Sequence, residues 1–318
     1  MSTKGKLRSS VVRAATYTRE SENPLFELLR PPWVLMLPIL LLLAFMFVGP
    51  MLAIVLFSLQ SGNQIDLGLT SWTFEHYGEI ISGMVSGTGV YGQVLGNTAL
   101  VSAATVVATA VVSYPAAYAL ARKIKRYKLV FLLVLIVPLF TSVNVRVFGW
   151  ALFFVKNGVL NSIFTLFGGQ ASAYPSLLYN RYTVVFGTMY VYLPFMLFPI
   201  YLSLLSIDDV TFEAAQDLGA GTFTIFRRIV LPLSMPGVVI GSLFVFVLSL
   251  GADVEAQILG GGSVFTMASN INYSFGYSQN WPLGSAQAVG LLVITVVVGV
   301  VILRSLDLQE IASRGDGR

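Results

Sequence analysis

The stretch EAAQDLGAGTFTIFRRIVLP, residues 213–232, is a short polar insert between two long apolar runs. Residues 182–205 on its N-side and 235–250 on its C-side contain no Asp, Glu, Lys or Arg. Such an insert must leave a bilayer on one face and re-enter it. It reads as a joint, placed to pass a push from outside the membrane into the helices on either side.

Composition agrees with a membrane setting. Of 318 residues, 56% are hydrophobic and only 11% charged, and the mean hydropathy is +0.79. A soluble domain does not tolerate that balance. Crossing about 30 Å of hydrocarbon as helix takes roughly 20 apolar residues. Runs of that kind occur at 33–59, 95–121, 129–154, 182–205, 235–259 and 284–303. The alternating short strands of a barrel are not sustained anywhere. The expected fold is all-α and polytopic, with six transmembrane helices.

There is no cysteine and only one histidine, His76, so disulfides and thiolate metal sites are excluded. His76 lies between Glu75 and Glu79, which reads as a solvated loop face rather than a metal centre. A cleavable signal needs a short apolar core soon after the start, whereas about thirty residues precede this long first run. That run is expected to stay as an anchor. Glycine–proline at 49–50 is expected to interrupt it.

Lys and Arg positions set the orientation, because cytoplasmic loops retain positive charge. The tail 1–32 holds six, the 122–128 loop five, the insert two and the end of the chain three, sixteen of nineteen in all. Arg146, Lys156 and Arg181 remain, near the other ends of spans three and four. Both termini and the insert are therefore expected in the cytoplasm. The sequence pI of about 9.2 follows from this placement, and nucleic-acid binding is not expected.

Within the insert, Asp208, Asp209 and Thr211 are N-cap candidates for a helix beginning at Glu213-Ala214-Ala215. Gly219 and Gly221 can take the left-handed conformation that closes it. Thr222 is placed to cap a second segment, and Leu231-Pro232 with Pro236 are expected to halt it before span five. A plain loop is the simpler reading, but the spacing is specific. Glu-Ala-Ala, three residues, Gly219, nine residues, Ile229, one residue and Leu231-Pro232 resembles the EAA loop of permease subunits in ABC importers.

Within that family the chain is most similar to spermidine/putrescine-type permeases, the B-type partner. The likeness covers most of residues 30–306. It includes Asn97-Thr98, the run from Tyr114-Pro115 to Ala121, and Val137-Pro138-Leu139-Phe140-Thr141-Ser142 with Arg146. It continues through Gly158-Val159-Leu160-Asn161, Leu193-Pro194-Phe195-Met196, Pro199-Ile200-Tyr201, Leu259-Gly260-Gly261 and Asn280-Trp281-Pro282-Leu283-Gly284.

The resemblance implies the type I importer permease fold, with a tail at 1–32, a permease domain at 33–306 containing the loop 206–234, and a tail at 307–318. It implies that Glu213, Ala214, Ala215, Asp217, Gly219, Arg227 and Arg228 couple to an ATPase subunit. Two ATPases carrying ATP and Mg, a second permease and a periplasmic binding protein complete such an importer in the bacterial inner membrane. This chain has no G-x-x-x-x-G-K-[ST] run, the loop that cradles ATP phosphates, and is expected to be non-catalytic.

Candidate solute-path residues come from the far end of span five. Asp253 and Glu255 carry charge that is costly in hydrocarbon unless it faces protein or water. Some relatives carry Thr-Pro where this chain has Glu255-Ala256, a departure that bears on the solute. Asn144 and Arg146 in span three, Trp150, Tyr190, Tyr192, Tyr273 and Trp281 lie near the same level. An aromatic face can stack on an ammonium, although interfacial belts also hold Trp and Tyr. Arg146 can pair with Asp253 or Glu255, or snorkel to the interface. Asp307 and Glu310 read as an exposed end.

The expected function is solute import, with polyamine as first choice. An opine, aminophosphonate or amino-acid-like compound is the alternative. An ion-gradient carrier would show internal repeats, which are not visible, and a membrane enzyme would need a catalytic cluster, which is absent from the sequence.

Overall fold

A computed structural model describes residues 32–65, 71–85, 89–124, 126–167 and 177–305. The expectations for residues 1–31 and 306–318, including Asp307 and Glu310, and for Lys125 lie outside the described residues. Apart from an isolated bridge between Gln60 and Trp72, regular structure among the described residues is helical. Among the described residues six helical stretches are long and apolar enough to cross a membrane: Met36–Phe57, Val90–Lys123, Val143–Leu166, Arg181–Leu205, Thr222–Leu250 and Trp281–Ile302.

The described residues up to Leu56 belong to one compact unit and those from Phe57 to a second. Helix α1 (Pro32–Phe57) runs through Pro38 and Pro50, so the expected interruption at Gly49-Pro50 does not occur. In lipid the backbone has no better partner than its own helix, and a single missing N–H does not end it.

The second unit contains α2 (Glu75–Val85), α3 (Val90–Tyr118), α4 (Lys128–Ile136), α5 (Val143–Phe154), α6 (Val159–Leu166) and α7 (Arg181–Leu205). Then come α8 (Asp209–Asp217), α9 (Thr222–Ile225), α10 (Leu231–Leu250), α11 (Met267–Gly276) and α12 (Trp281–Ser305). Its centre is the packing of α3, α7 and α10. On α3 the buried residues Thr98, Ser102, Thr105, Thr109 and Ser113 follow one another at three- and four-residue intervals, which places them on one helix face. Such small residues let helices approach where lipid supplies no hydrophobic drive to pack.

Helices α7 and α10 approach closely. A Cβ on Gly237 would lie 2.4 Å from the Pro199 carbonyl oxygen, and one on Gly241 would lie 2.8 Å from the Met196 sulfur. These two glycines, four apart on α10, leave room for Pro199, Ser203 and Met196 of α7, and Met196 is fully buried.

Two spans and one loop differ from the sequence expectation. The third is not one rod over 129–154: α4 passes into a 3-10 turn at Val137–Phe140 and α5 starts only at Val143. Pro138 is the cause, and its carbonyl accepts from the Thr141 N–H at 3.1 Å and hydroxyl at 2.7 Å. Span five ends at Leu250 rather than at residue 259, with Gly251 at its C-cap. The loop expected at 260–283 contains α11, capped by Thr266 and anchored where the Met267 N–H donates to Thr98 Oγ1 at 2.8 Å. The short helix expected after Gly158 is present as α6.

Gly241→Leu should separate α7 from α10, at a cost of about 1–3 kcal/mol or more for overpacking. Gly96→Ala meets open space and should leave stability unchanged or slightly raised. Thermal unfolding of the two purified variants in detergent checks this. Equal midpoints would contradict the packing account.

Candidate functional site

Two separate regions carry the candidate residues: the loop after α7 and the opposite end of the bundle. The loop begins as α7 stops at Leu205 and α8 starts, with Asp208 extended at the N-cap position. Of the N-cap candidates, Asp208 therefore takes the position, while Asp209 and Thr211 are already helical. On α8, Ala215 is buried, while Glu213, Ala214, Gln216 and Asp217 are exposed. The loop therefore presents a polar face with apolar flanks, since Val210, Leu218 and Phe223 are 71%, 89% and 73% exposed.

Gly219 closes α8 at φ +79°. Its N–H donates to the Gln216 carbonyl at 2.8 Å, and the Ala220 N–H donates to the Ala215 carbonyl at 3.0 Å. This pair of bonds around a left-handed residue is a Schellman closure, and Ala215 and Ala220 pack in the same apolar cluster. Gly221 does not share the role. It is extended at φ −69° and ψ 160° and occupies the N-cap position that the sequence assigned to Thr222.

From Thr222 the chain is helical without a stop to Leu250. Pro232 and Pro236 do not halt it, contrary to expectation. A π turn spans Phe226–Val230, and the Leu231 N–H reaches back five residues to the Phe226 carbonyl. The wider turn changes which carbonyl faces Pro232, a residue that lacks an N–H and clashes with an ordinary i−4 carbonyl. The second half of the loop is thus the first part of span five. Arg227 and Arg228 are exposed on it.

The loop is fastened to α3. Phe226 meets Tyr114 edge-on at 5.8 Å and Tyr118 at 6.1 Å, pairs worth about 0.5–1.5 kcal/mol each beyond burial. The Tyr114 hydroxyl lies 2.8 Å from Ser234 Oγ. Arg122 lies in a π turn that extends α3 through Ala119–Lys123. It forms an ion pair with Asp209 at 2.6 Å. Sequence reading used Arg122 only as a marker of orientation, because its partners lie more than eighty residues away.

At the opposite end, beyond Leu250, Asp253 accepts from Gln257 Nε2 at 2.9 and 2.8 Å and from Asn272 Nδ2. Glu255 is 2% exposed and its Oε1 has no hydrogen-bond partner among the described residues. Burial raises its carboxyl above the usual range, opposed by a backbone hydrogen bond and by Arg146. Among the described residues Arg146 forms no ion pair with either carboxylate, and its Nε is buried without a hydrogen bond.

Tyr192 packs against the buried cluster that contains Ala256, next to Glu255 in the chain. Trp150 and Tyr190 are brought together 5.4 Å apart, with Phe186 4.7 Å from Trp150, in an aromatic cluster joining α5 to α7. Asn144 is exposed in the first turn of α5. Tyr273 stacks on Tyr277, and Trp281 packs against Phe275. Gln257 and Asn272 were not singled out from the sequence, since amides carry no charge signal. Among the described residues no group of His, Asp and Glu could hold a metal ion.

The family described as "Binding-protein-dependent transport system inner membrane component" matches residues 113–310. The spermidine/putrescine transport system permease protein PotB of Haemophilus influenzae is 33% identical over 216 residues, 68% of this chain and 75% of the relative. The Escherichia coli K12 protein of the same description is 32% identical over 214 residues, covering 67% and 76%. A solved bacterial ABC transporter involved in import of the acidic polysaccharide alginate superposes with a TM-score of 0.68. It is 15% identical, covers 89% of this chain and 98% of that one, and speaks to the fold alone.

Gly219 has no atom near an added Cβ, so substitution there costs backbone energy alone. Gly219→Val should destabilise by about 1–2 kcal/mol, whereas Gly219→Asn should cost less, because Asn tolerates the left-handed region. Thermal midpoints that rank the other way would remove the Schellman closure from the account.

Proposed function

The chain belongs to the inner membrane component family of binding-protein-dependent transport systems, and from that premise we propose how it is driven and what it carries. It is a multi-pass permease subunit of an ABC importer. In our reading the insert and both termini face the cytoplasm, as the sixteen of nineteen Lys and Arg on that side support. The tails occupy 1–32 and 307–318 and the permease domain 33–306.

One observation carries the mechanism. The α8 face bearing Glu213, Ala214 and Asp217 is exposed together with Val210 and Leu218, between spans four and five, and with Phe223 at the start of span five, which is the surface of an element made to be covered. We assign it to an ATPase subunit, with Gly219 setting the turn and Arg227 and Arg228 flanking it. Two ATPases bind ATP and Mg, and this chain supplies no catalytic group. A second permease completes the pathway, and a periplasmic binding protein delivers the solute.

The transported solute is proposed to be a polyamine. Both PotB relatives named above are spermidine/putrescine permeases, and Asp253 with Glu255 supplies acidic groups at the receiving end. Tyr192, Trp150 and Tyr190, which pack against the buried cluster containing Ala256, are assigned to the wall of this path, and Asn144 offers an exposed amide. Arg146 favours a second reading. A cation beside Glu255 suits an amino-acid-like zwitterion, whose carboxylate would meet the guanidinium.

The test is uptake by the assembled complex in liposomes. Asp253→Asn with Glu255→Gln should lower uptake of spermidine or putrescine by about tenfold, the effect of losing about 1.4 kcal/mol at one step. Arg146→Gln should leave polyamine uptake intact. Unchanged uptake in the double variant would remove the acidic path. Uptake of an amino-acid-like zwitterion by the parent complex that is lost in Arg146→Gln would favour the second reading.

A further inference from the structure

We infer that Arg122 is the positioning residue that makes the α8 helix move as one body with spans two and four. The inference rests on reading α8 as the element an ATPase pushes.

Arg122 stands at the loop end of span two, in the π turn that follows α3. Its Nη2 donates to the Leu204 carbonyl at 2.9 Å and to the Ile207 carbonyl. Its Nη1 donates to Asp209 Oδ1 at 2.6 Å. The guanidinium carbon lies 4.4 Å from the centre of the Phe212 ring. One side chain therefore holds the last turn of span four, the link after it, and the first turn of α8.

The chemistry explains why arginine stands here. The C-terminal carbonyls of α7 have no partner within their helix, and a cation there is favoured by the helix dipole. A planar fork can serve several acceptors at once and still stack on a ring, which a lysine ammonium cannot do. The Asp209 carboxylate is 87% exposed and the Arg122 side chain only 16% exposed. The ion pair is therefore screened and weak, and the carbonyl bonds and the Phe212 stack hold the junction.

A load on α8 passes through the turn at 218–221 into the helix that starts at Thr222, which Phe226 also ties to span two. Arg122 is the side chain that bonds span two, the end of span four and the first turn of α8 to one another. Without it α8 can still be pushed and the Phe226 contacts remain, but the first turn of α8 loses its bonds to span two.

Transported solute per ATP hydrolysed separates this role from mere stability, because a destabilised complex loses both activities together. Arg122→Ala in the assembled importer should retain ATP hydrolysis and lose about tenfold in solute moved per ATP, as charge-assisted bonds are removed. Arg122→Lys should fall between, and Asp209→Asn should change the ratio by less than about twofold. A second readout uses spin labels at Lys123→Cys and Gln216→Cys, in a chain without native cysteine. Their separation should stay constant between nucleotide-free and ATP-trapped states with Arg122, and shift with Arg122→Ala.

An unchanged ratio in Arg122→Ala, or a label separation that changes equally with and without Arg122, overturns the inference. If the Ala variant does not co-purify with the ATPase, Arg122→Lys is read by the same two measurements and the same criteria. A parent complex with no ATP-driven uptake overturns the importer reading itself, and with it the inference.

Discussion

Proline cannot continue an ordinary helix cleanly, yet the route from the loop into span five passes through Pro232 and Pro236 without stopping. One helix runs from Thr222 to Leu250, with a π turn at Phe226–Val230 just before Pro232. Much else in the structure depends on that continuity. A loop joined to span five by a flexible hinge would dissipate a push, whereas a helix transmits it along its axis. The turn also carries Phe226, which is held edge-on by Tyr114 and Tyr118. The backbone irregularity and the attachment to span two are thus one feature.

Both ends of the bundle hold buried polar atoms. Around the loop the Schellman closure is paired and Ala215, Ile225 and Val230 pack in one cluster, while Arg122 Nε is buried without a hydrogen bond among the described residues. At the opposite end, among the described residues, Glu255 Oε1 and Arg146 Nε are likewise buried without one, a state that costs free energy unless another packing or a ligand satisfies it.

The sequence made the architecture readable where the physics is local. Six apolar runs, the charge distribution and the fixed spacing from Glu213 to Pro232 gave the spans and the loop, and Gly219 takes the left-handed turn its position required. What could not be read was set by distant neighbours. Span three breaks after Pro138 because Thr141 closes a turn there, an outcome that an apolar run conceals. Helix α11 hides in an apparent loop because it is held by Thr98, which is 169 residues away. Arg122 looked like one of five basic residues until its partners on α7 and α8 were placed beside it. Asp253 and Glu255 were visible as unusual charges, but only the fold shows one satisfied by amides and the other buried.

The central claim is that an ATPase docks on the exposed face of α8 and drives the bundle through it. Because the chain has no cysteine, Asp217→Cys introduces a single thiol on that face. Cross-linking in native membranes with a short thiol-to-amine reagent, followed by mass spectrometry of the adduct, reads the neighbour directly. The account predicts an adduct with the ATPase subunit whose yield changes when ATP is trapped. A transport-competent complex in which Asp217→Cys is labelled freely by solvent and forms no adduct with the ATPase would contradict it.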